Sequence, residues 1–160
     1  MTTRVARDFA QRSVLGLLLW AVASVAAATP KLANCETAAV KLQVHITGLA
    51  NAKGNLTITL YPDDPDAFLA KRGKIARQRV PAVMPLTQTC FALPATGRYA
   101  VAVYHDANGD NDFNRKLTGL PAEGYGFSNN PVTRFGLPAL KDVLLPTVAG
   151  DNPVYIKLSY

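Results

Sequence analysis

From Asp106 onward the chain places oxygen-bearing side chains at every second position: Asp106, Asn108, Asp110 and Asp112, with Asn114 following. Alternation of this kind is how a short loop wraps oxygens around calcium, a hard ion that takes six to eight of them. Measured against the helix-flanked calcium loop, the match is partial. Position six, where glycine makes a sharp turn, is Asn111, a residue that tolerates the left-handed conformation. Position twelve, where a bidentate glutamate closes the shell, is Leu117, so the closing ligand has to come from elsewhere, and Glu123 is the candidate. The competing reading is an Asx-rich turn at a strand end, made of residues that favour turns. Carboxylates brought to about 6 Å repel by roughly 3 kcal/mol per pair at an effective dielectric of 20, and by under about 1 kcal/mol when splayed into water. Convergence therefore requires a cation and a splayed turn does not; on sequence both readings stay open.

Other chemistry is sparse. His105 and Asp106 are adjacent, so in a strand they point to opposite faces, which argues against a His–Asp pair made from these two. The alternative functional reading is a hydrolase in which folding brings His105 to Glu123 or Ser128. Ser128, in GFSNN, has Asn130 where an esterase elbow needs its second glycine, and no strand-to-helix context. Two histidines, His45 and His105, and two cysteines are too few ligands for a zinc or copper centre. The basic run Lys71, Arg72, Lys74, Arg77 and Arg79 has only Phe68 near it, so it lacks the interleaved aromatics of a nucleic-acid reader. A non-enzymatic binding or accessory module is the favoured function, with calcium the one cofactor in view and no catalytic residue assigned.

Regular elements must hold these residues. Residues 38–47 alternate, with Ala38, Val40, Leu42, Val44 and Ile46 on one face, predicting a half-buried strand. After a turn containing Asn51 and Gly54, the alternation of Leu56, Ile58 and Leu60 with Thr57, Thr59 and Tyr61 predicts a second strand returning antiparallel to the first. One helical turn is expected over 67–72, and weaker strands over 74–83 and 87–93. Residues 99–105 are apolar on both faces and are predicted as the central strand, ending at His105 and Asp106. From 107 to about 140 runs one long irregular loop rich in Gly, Pro and Asn, of a kind that is functional or disordered inside compact domains. Its aromatics, Phe113, Tyr125, Phe127 and Phe135, argue that it packs onto the domain. Residues 142–145 and the alternation of Val154, Ile156, Leu158 and Tyr160 complete the strands. About seven short strands with no long helical period predict an all-β fold, an antiparallel β-sandwich of immunoglobulin-like or transthyretin-like kind. A closed outer-membrane barrel is disfavoured, because the strands are few and short.

The first 28 residues read as a signal peptide: Arg4, Arg7 and Arg12, then an apolar core over 14–25, then Ala26, Ala27 and Ala28 before the cleavage point. The apolar stretch is short for a membrane span, which needs roughly 20 residues. Cleavage leaves residues 29–160 as a single exported domain with no integral span. The net charge falls from +6 to +4, since three arginines and Asp8 are removed. Cys35 and Cys90 both lie in the exported part, where an even count is most simply a disulfide. Its closed loop is worth about 4 kcal/mol on the chain-entropy account.

Residues 97–130, GRYAVAVYHDANGDNDFNRKLTGLPAEGYGFSNN, contain Gly97, Tyr99, Ala100, His105, Asp106 and Asn108, then an acidic and Asn-rich stretch. Gly119, Pro121, Glu123, Gly124, Gly126, Phe127, Ser128, Asn129 and Asn130 follow. This pattern resembles the signature of the bacterial domain-of-unknown-function family numbered 2141. Its flanks, GNLTITLY from 54 and the closing IKLSY, extend the resemblance over nearly the whole mature chain. The resemblance implies a small exported bacterial protein, a β-sandwich and no assigned activity. PATGRY departs from the PPGxY expected there, and the cysteine pair lies outside the signature, so the disulfide rests on the compartment argument.

Overall fold

The computed structural model describes residues 34–133 and 136–160; the expected signal peptide, 1–28, and Phe135 lie outside them. Among the described residues the strands are β1 (Val40–Thr47), β2 (Asn55–Pro62), β3 (Ala76–Pro81), β4 (Thr87–Ala92), β5 (Gly97–Asp106), β6 (Tyr125–Phe127), β7 (Leu145–Thr147) and β8 (Gly150–Lys157). One short helix, α1 (Leu140–Val143), precedes β7. They form two sheets, β4-β1-β8 and β3-β2-β5-β6, with β7 also paired to β5. The fold is the β-sandwich that the alternation predicts.

The alternating apolar faces meet between the sheets. Leu42, Val44 and Ile46 of β1, Val154 and Ile156 of β8, Leu56, Ile58 and Leu60 of β2, and Val101 and Val103 of β5 are buried in one cluster. Each such side chain contributes about 1.5–3 kcal/mol relative to exposure. A second, smaller cluster lies on the outer face of the larger sheet, where Tyr61, Ala100, Phe127, Val143 and Leu144 are buried with Phe68 and Leu69 against them. This explains why β5 shows no polar face: it is central, with both faces covered.

Several expectations are corrected. β2 does not return along β1. The connection 48–54, with Gly48 and Gly54 at positive φ, carries the chain into the other sheet, and β1 instead pairs antiparallel with β4 and parallel with β8. The alternation of β2 is misleading because its Thr57–Thr59–Tyr61 face is buried too, Tyr61 within the second cluster. The single antiparallel pattern is thus broken by the β1–β8 pair, whose parallel register runs from Val40 opposite Gly150 to Thr47 opposite Lys157. The expected helical turn shifts toward the N-terminus: Phe68 N–H donates to the Asp64 carbonyl, and Leu69, at φ 59°, ends the turn. Residues 140–143 are helical where a strand from 142 was expected. The long loop is not continuous, because β6 interrupts it and pairs with β5 from Ala102 to Tyr104. Three residues with a central glycine are too few to show a period, which is why that strand is silent in the sequence.

Cys35 and Cys90 form the expected disulfide, with Cα atoms 6.1 Å apart, tying the residues ahead of β1 to β4. No helix of the described residues is long and apolar enough to cross a membrane.

Candidate functional site

The site grows out of the end of β5. Asp106 is fully buried, and both oxygens of its carboxylate are committed to the backbone of the loop that follows. Oδ1 accepts from Gly109 N–H at 2.6 Å and Oδ2 from Asn111 N–H at 2.9 Å. Gly109 and Asn111 both sit at positive φ, 77° and 67°, the conformation that glycine and asparagine reach most readily. Asp106 is therefore the post around which the loop is wound. Gly54 allows the post to stand where it does: a Cβ there would lie 2.0 Å from the Asp106 carbonyl oxygen.

Outside this buried layer lies an exposed net of side chains. Asn108 Nδ2 donates to Asp110 Oδ2 at 2.9 Å and to Asn114 Oδ1 at 3.1 Å, while Asn114 Nδ2 donates to the same Asp110 oxygen at 3.0 Å. Asp112 enters through its backbone N–H, which donates to Asp110 Oδ1 at 2.9 Å. The Asp110 carboxyl is held below the usual range, first by that amide and then by the Asn114 and Asn108 side chains. The alternate spacing of the acids thus builds consecutive Asx turns.

Glu123 folds back from the far end of the loop onto this net. Its Oε2 accepts from Asn114 N–H at 3.1 Å, so Asn114 holds Glu123 with its backbone and Asp110 with its side chain. Glu123 is buried, and burial pushes its carboxyl above the usual range. The Asn114 amide partly offsets that shift, and the charges of Asp106 and Asp110 add to it. Among the described residues no ion pair involves any of these acids, the two present being Lys41–Asp151 and Arg98–Asp63. Nor are three His, Cys, Asp or Glu side chains of the described residues already drawn together as the ligands of a metal.

The hydrolase pairing is not assembled. His105, buried on the opposite side of β5 from Asp106, places Nε2 2.7 Å from the Lys53 carbonyl oxygen and Nδ1 2.7 Å from the Tyr160 hydroxyl. A carbonyl only accepts, so Nε2 donates to Lys53, while Nδ1 pairs with the Tyr160 hydroxyl, whose oxygen also accepts from Ala50 N–H. Gly124 makes room for this arrangement, since a Cβ there would lie 2.3 Å from the Tyr160 ring. Ser128 is fully buried and committed elsewhere: its Oγ accepts from Val101 N–H at 3.0 Å and donates to the Val143 carbonyl.

Ser128 opens a polar clasp. β6 and β7 lie along the same edge of β5, with a gap opposite Val101 that the Ser128 hydroxyl fills. Asn129 Nδ2 donates to the Leu144 carbonyl at 3.0 Å. Asn130 donates to the Tyr155 carbonyl at 2.9 Å and accepts from Lys157 N–H at 2.7 Å, copying a strand partner for β8. The sequence marks Ser128 as a candidate nucleophile of the alternative hydrolase reading and as part of the GFSNN signature, not as a clasp. The partners that reveal its work lie far along the chain, as does Asn114's role in joining two acids.

Fold and site define a class: a small two-sheet β-sandwich with a carboxylate-rich loop wound on the end of its central strand. The family model described as "Uncharacterized protein conserved in bacteria (DUF2141)" matches residues 44–154, and the chain belongs to that family. Comparison with curated proteins and with solved structures returns no match.

Proposed function

We propose that this chain is an exported, non-catalytic binding module of the bacterial periplasm or exterior whose loop over 106–123 closes on a calcium ion. The observation that carries the reading is the return of Glu123 to Asp110 through their shared partner Asn114, beside the buried Asp106. Closely held carboxylates without a basic partner repel one another, and a hard divalent cation relieves that repulsion. Each carboxylate oxygen that accepts one amide hydrogen bond keeps a second lone pair for an ion. Asp106, Asn108, Asp110 and Glu123 would supply the oxygens, and Asp112, which enters the net by its backbone, a further one at the exposed side. Export is supported by the basic and apolar character of residues 1–28 and by the Cys35–Cys90 disulfide, which suits an oxidising compartment.

A thermal melt of the mature protein in excess calcium and in chelator tests the calcium reading. Calcium at about 100 times its dissociation constant adds roughly 2.7 kcal/mol, a rise of several degrees in a domain of this size. Asp110→Asn abolishes that rise while leaving the melt in chelator nearly unchanged. No rise at millimolar calcium removes the ion from the reading, and a rise retained in Asp110→Asn places the ion elsewhere.

A further inference from the structure

Two adjoining hollows, one walled by the loop at the β6 edge of the larger sheet and one on that sheet's outer face, form a groove that the loop's carboxylates do not line. Its wider part, about 700 Å³, is lined by Phe113, Arg115, Leu120, Tyr125, Val132 and Tyr160 among the described residues. A second hollow of about 240 Å³ shares Phe113, Arg115 and Tyr125 with it and runs across the sheet to Thr59 and Arg77. Volumes of this order suit a small organic ligand.

The walls are of two kinds. Aromatic rings form a row: Tyr104 to Phe113 at 5.6 Å, Phe113 to Tyr125 at 6.0 Å and Tyr125 to Phe127 at 6.1 Å between centroids. Leu120 and Val132 add exposed apolar surface at the mouth. Against this stand two guanidinium groups. Arg115 lies 5.4 Å from the Phe113 ring centroid and donates from Nη1 to the Gly119 carbonyl at 3.1 Å, which orients it and leaves most of its five N–H groups without a partner among the described residues. Arg77 donates from Nε to Thr59 Oγ1 at 3.0 Å. Neither has a carboxylate within ion-pair distance among the described residues.

We infer that this groove binds a small organic anion with a flat apolar body, the body lying on the ring row and the anionic group on Arg115. An uncharged apolar ligand would cover the free guanidinium N–H groups without pairing them, whereas a carboxylate or sulfonate meets their planar fork with charge-assisted hydrogen bonds. The inference rests on the binding-module reading but not on calcium, and it names the ligand class that reading leaves open.

Two dyes that differ mainly in charge test it: 1-anilinonaphthalene-8-sulfonate and the uncharged N-phenyl-1-naphthylamine. Each is titrated by fluorescence against the folded mature protein, with calcium and with chelator. The expected result is saturable binding of the sulfonate, about tenfold or more tighter than the uncharged dye. Arg115→Gln removes that preference by weakening the sulfonate alone, Arg77→Gln weakens it less, and Lys141→Gln, a change of net charge elsewhere, leaves both affinities within about twofold. Cooperative melting of each variant shows that it is folded, and Arg77→Gln decides the matter if Arg115→Gln does not melt cooperatively. Equal affinity for the two dyes, no saturable binding of either, or a sulfonate affinity untouched by the folded arginine variants overturns the inference. Charge-selective binding in a protein whose melt ignores calcium sinks the ion and keeps the groove; a calcium shift without charge-selective binding does the reverse.

Discussion

Residues 106–114 and 128–130 lie on either side of β6, and both are rich in asparagine. The second stretch spends its polar groups on distant backbone: Ser128 on Val101 and Val143, Asn129 on Leu144, Asn130 on Tyr155 and Lys157. The first spends them almost wholly on itself, Asp106 on Gly109 and Asn111, and Asp110 on Asn108, Asp112 and Asn114. The clasp is neutral and complete, whereas the loop carries a surplus of negative charge moderated by its own amides and, among the described residues, by no ion pair. One region is structure; under the proposed function the other keeps capacity for an ion, and the aspartates that it alone holds make the difference.

The largest effect expected separates them at once. Ser128→Ala strands a buried N–H and a buried carbonyl, costing about 2–4 kcal/mol and lowering Tm by on the order of 10 °C. The loss read by calorimetry should be the same in calcium and in chelator; a loss under about 1 kcal/mol would show that the clasp is dispensable.

Asp106→Ala comes next. It removes two charge-assisted bonds to the loop backbone, costs about 2 kcal/mol in chelator, and also abolishes the calcium-induced rise. Amide exchange at Gly109 and Asn111 should accelerate in the variant. Unchanged protection at those amides would mean that Asp106 does not organise the loop.

Glu123→Gln gives the smallest and most discriminating change, because its sign depends on the ion. The folded protein raises the Glu123 carboxyl above its unfolded value, so the charged form opposes folding at neutral pH. As pH falls, the folded state takes up this proton before the unfolded chain does, so stability increases from the folded value down to the ordinary carboxylate value and is level below it. In chelator, Glu123→Gln should therefore raise Tm by on the order of 1–2 °C at pH 7 and flatten that dependence. In calcium it should lower Tm relative to wild type. The same sign in both conditions would remove Glu123 from the ion's ligands.

Much of the sandwich is legible along the chain. β1 and β8 announce themselves by alternation, and β5 by the absence of a polar face, because burial on one or both sides leaves a residue-by-residue mark. The failures share a cause. β2 alternates like a half-exposed strand, yet its Thr57–Thr59–Tyr61 face is buried as well, with Tyr61 against Phe68 and Thr59 against Arg77, residues from outside β2. β6 is too short to carry a period and exists because the edge of β5 accepts it. The spacing of the loop acids was plain, but what they meet was not.

The sequence by itself determined the alternating cores, the cysteine pair, the turn chemistry from Asp106 to Asn114 and the family signature. These are local properties, set by side-chain type and spacing. The tertiary structure alone decided that β1 runs parallel to β8, that Ser128 fills a gap opposite Val101, and that Glu123 reaches Asp110 through Asn114. Each joins atoms distant in sequence, where hydrogen-bond geometry and the closing of two sheets fix the partner and no local preference can.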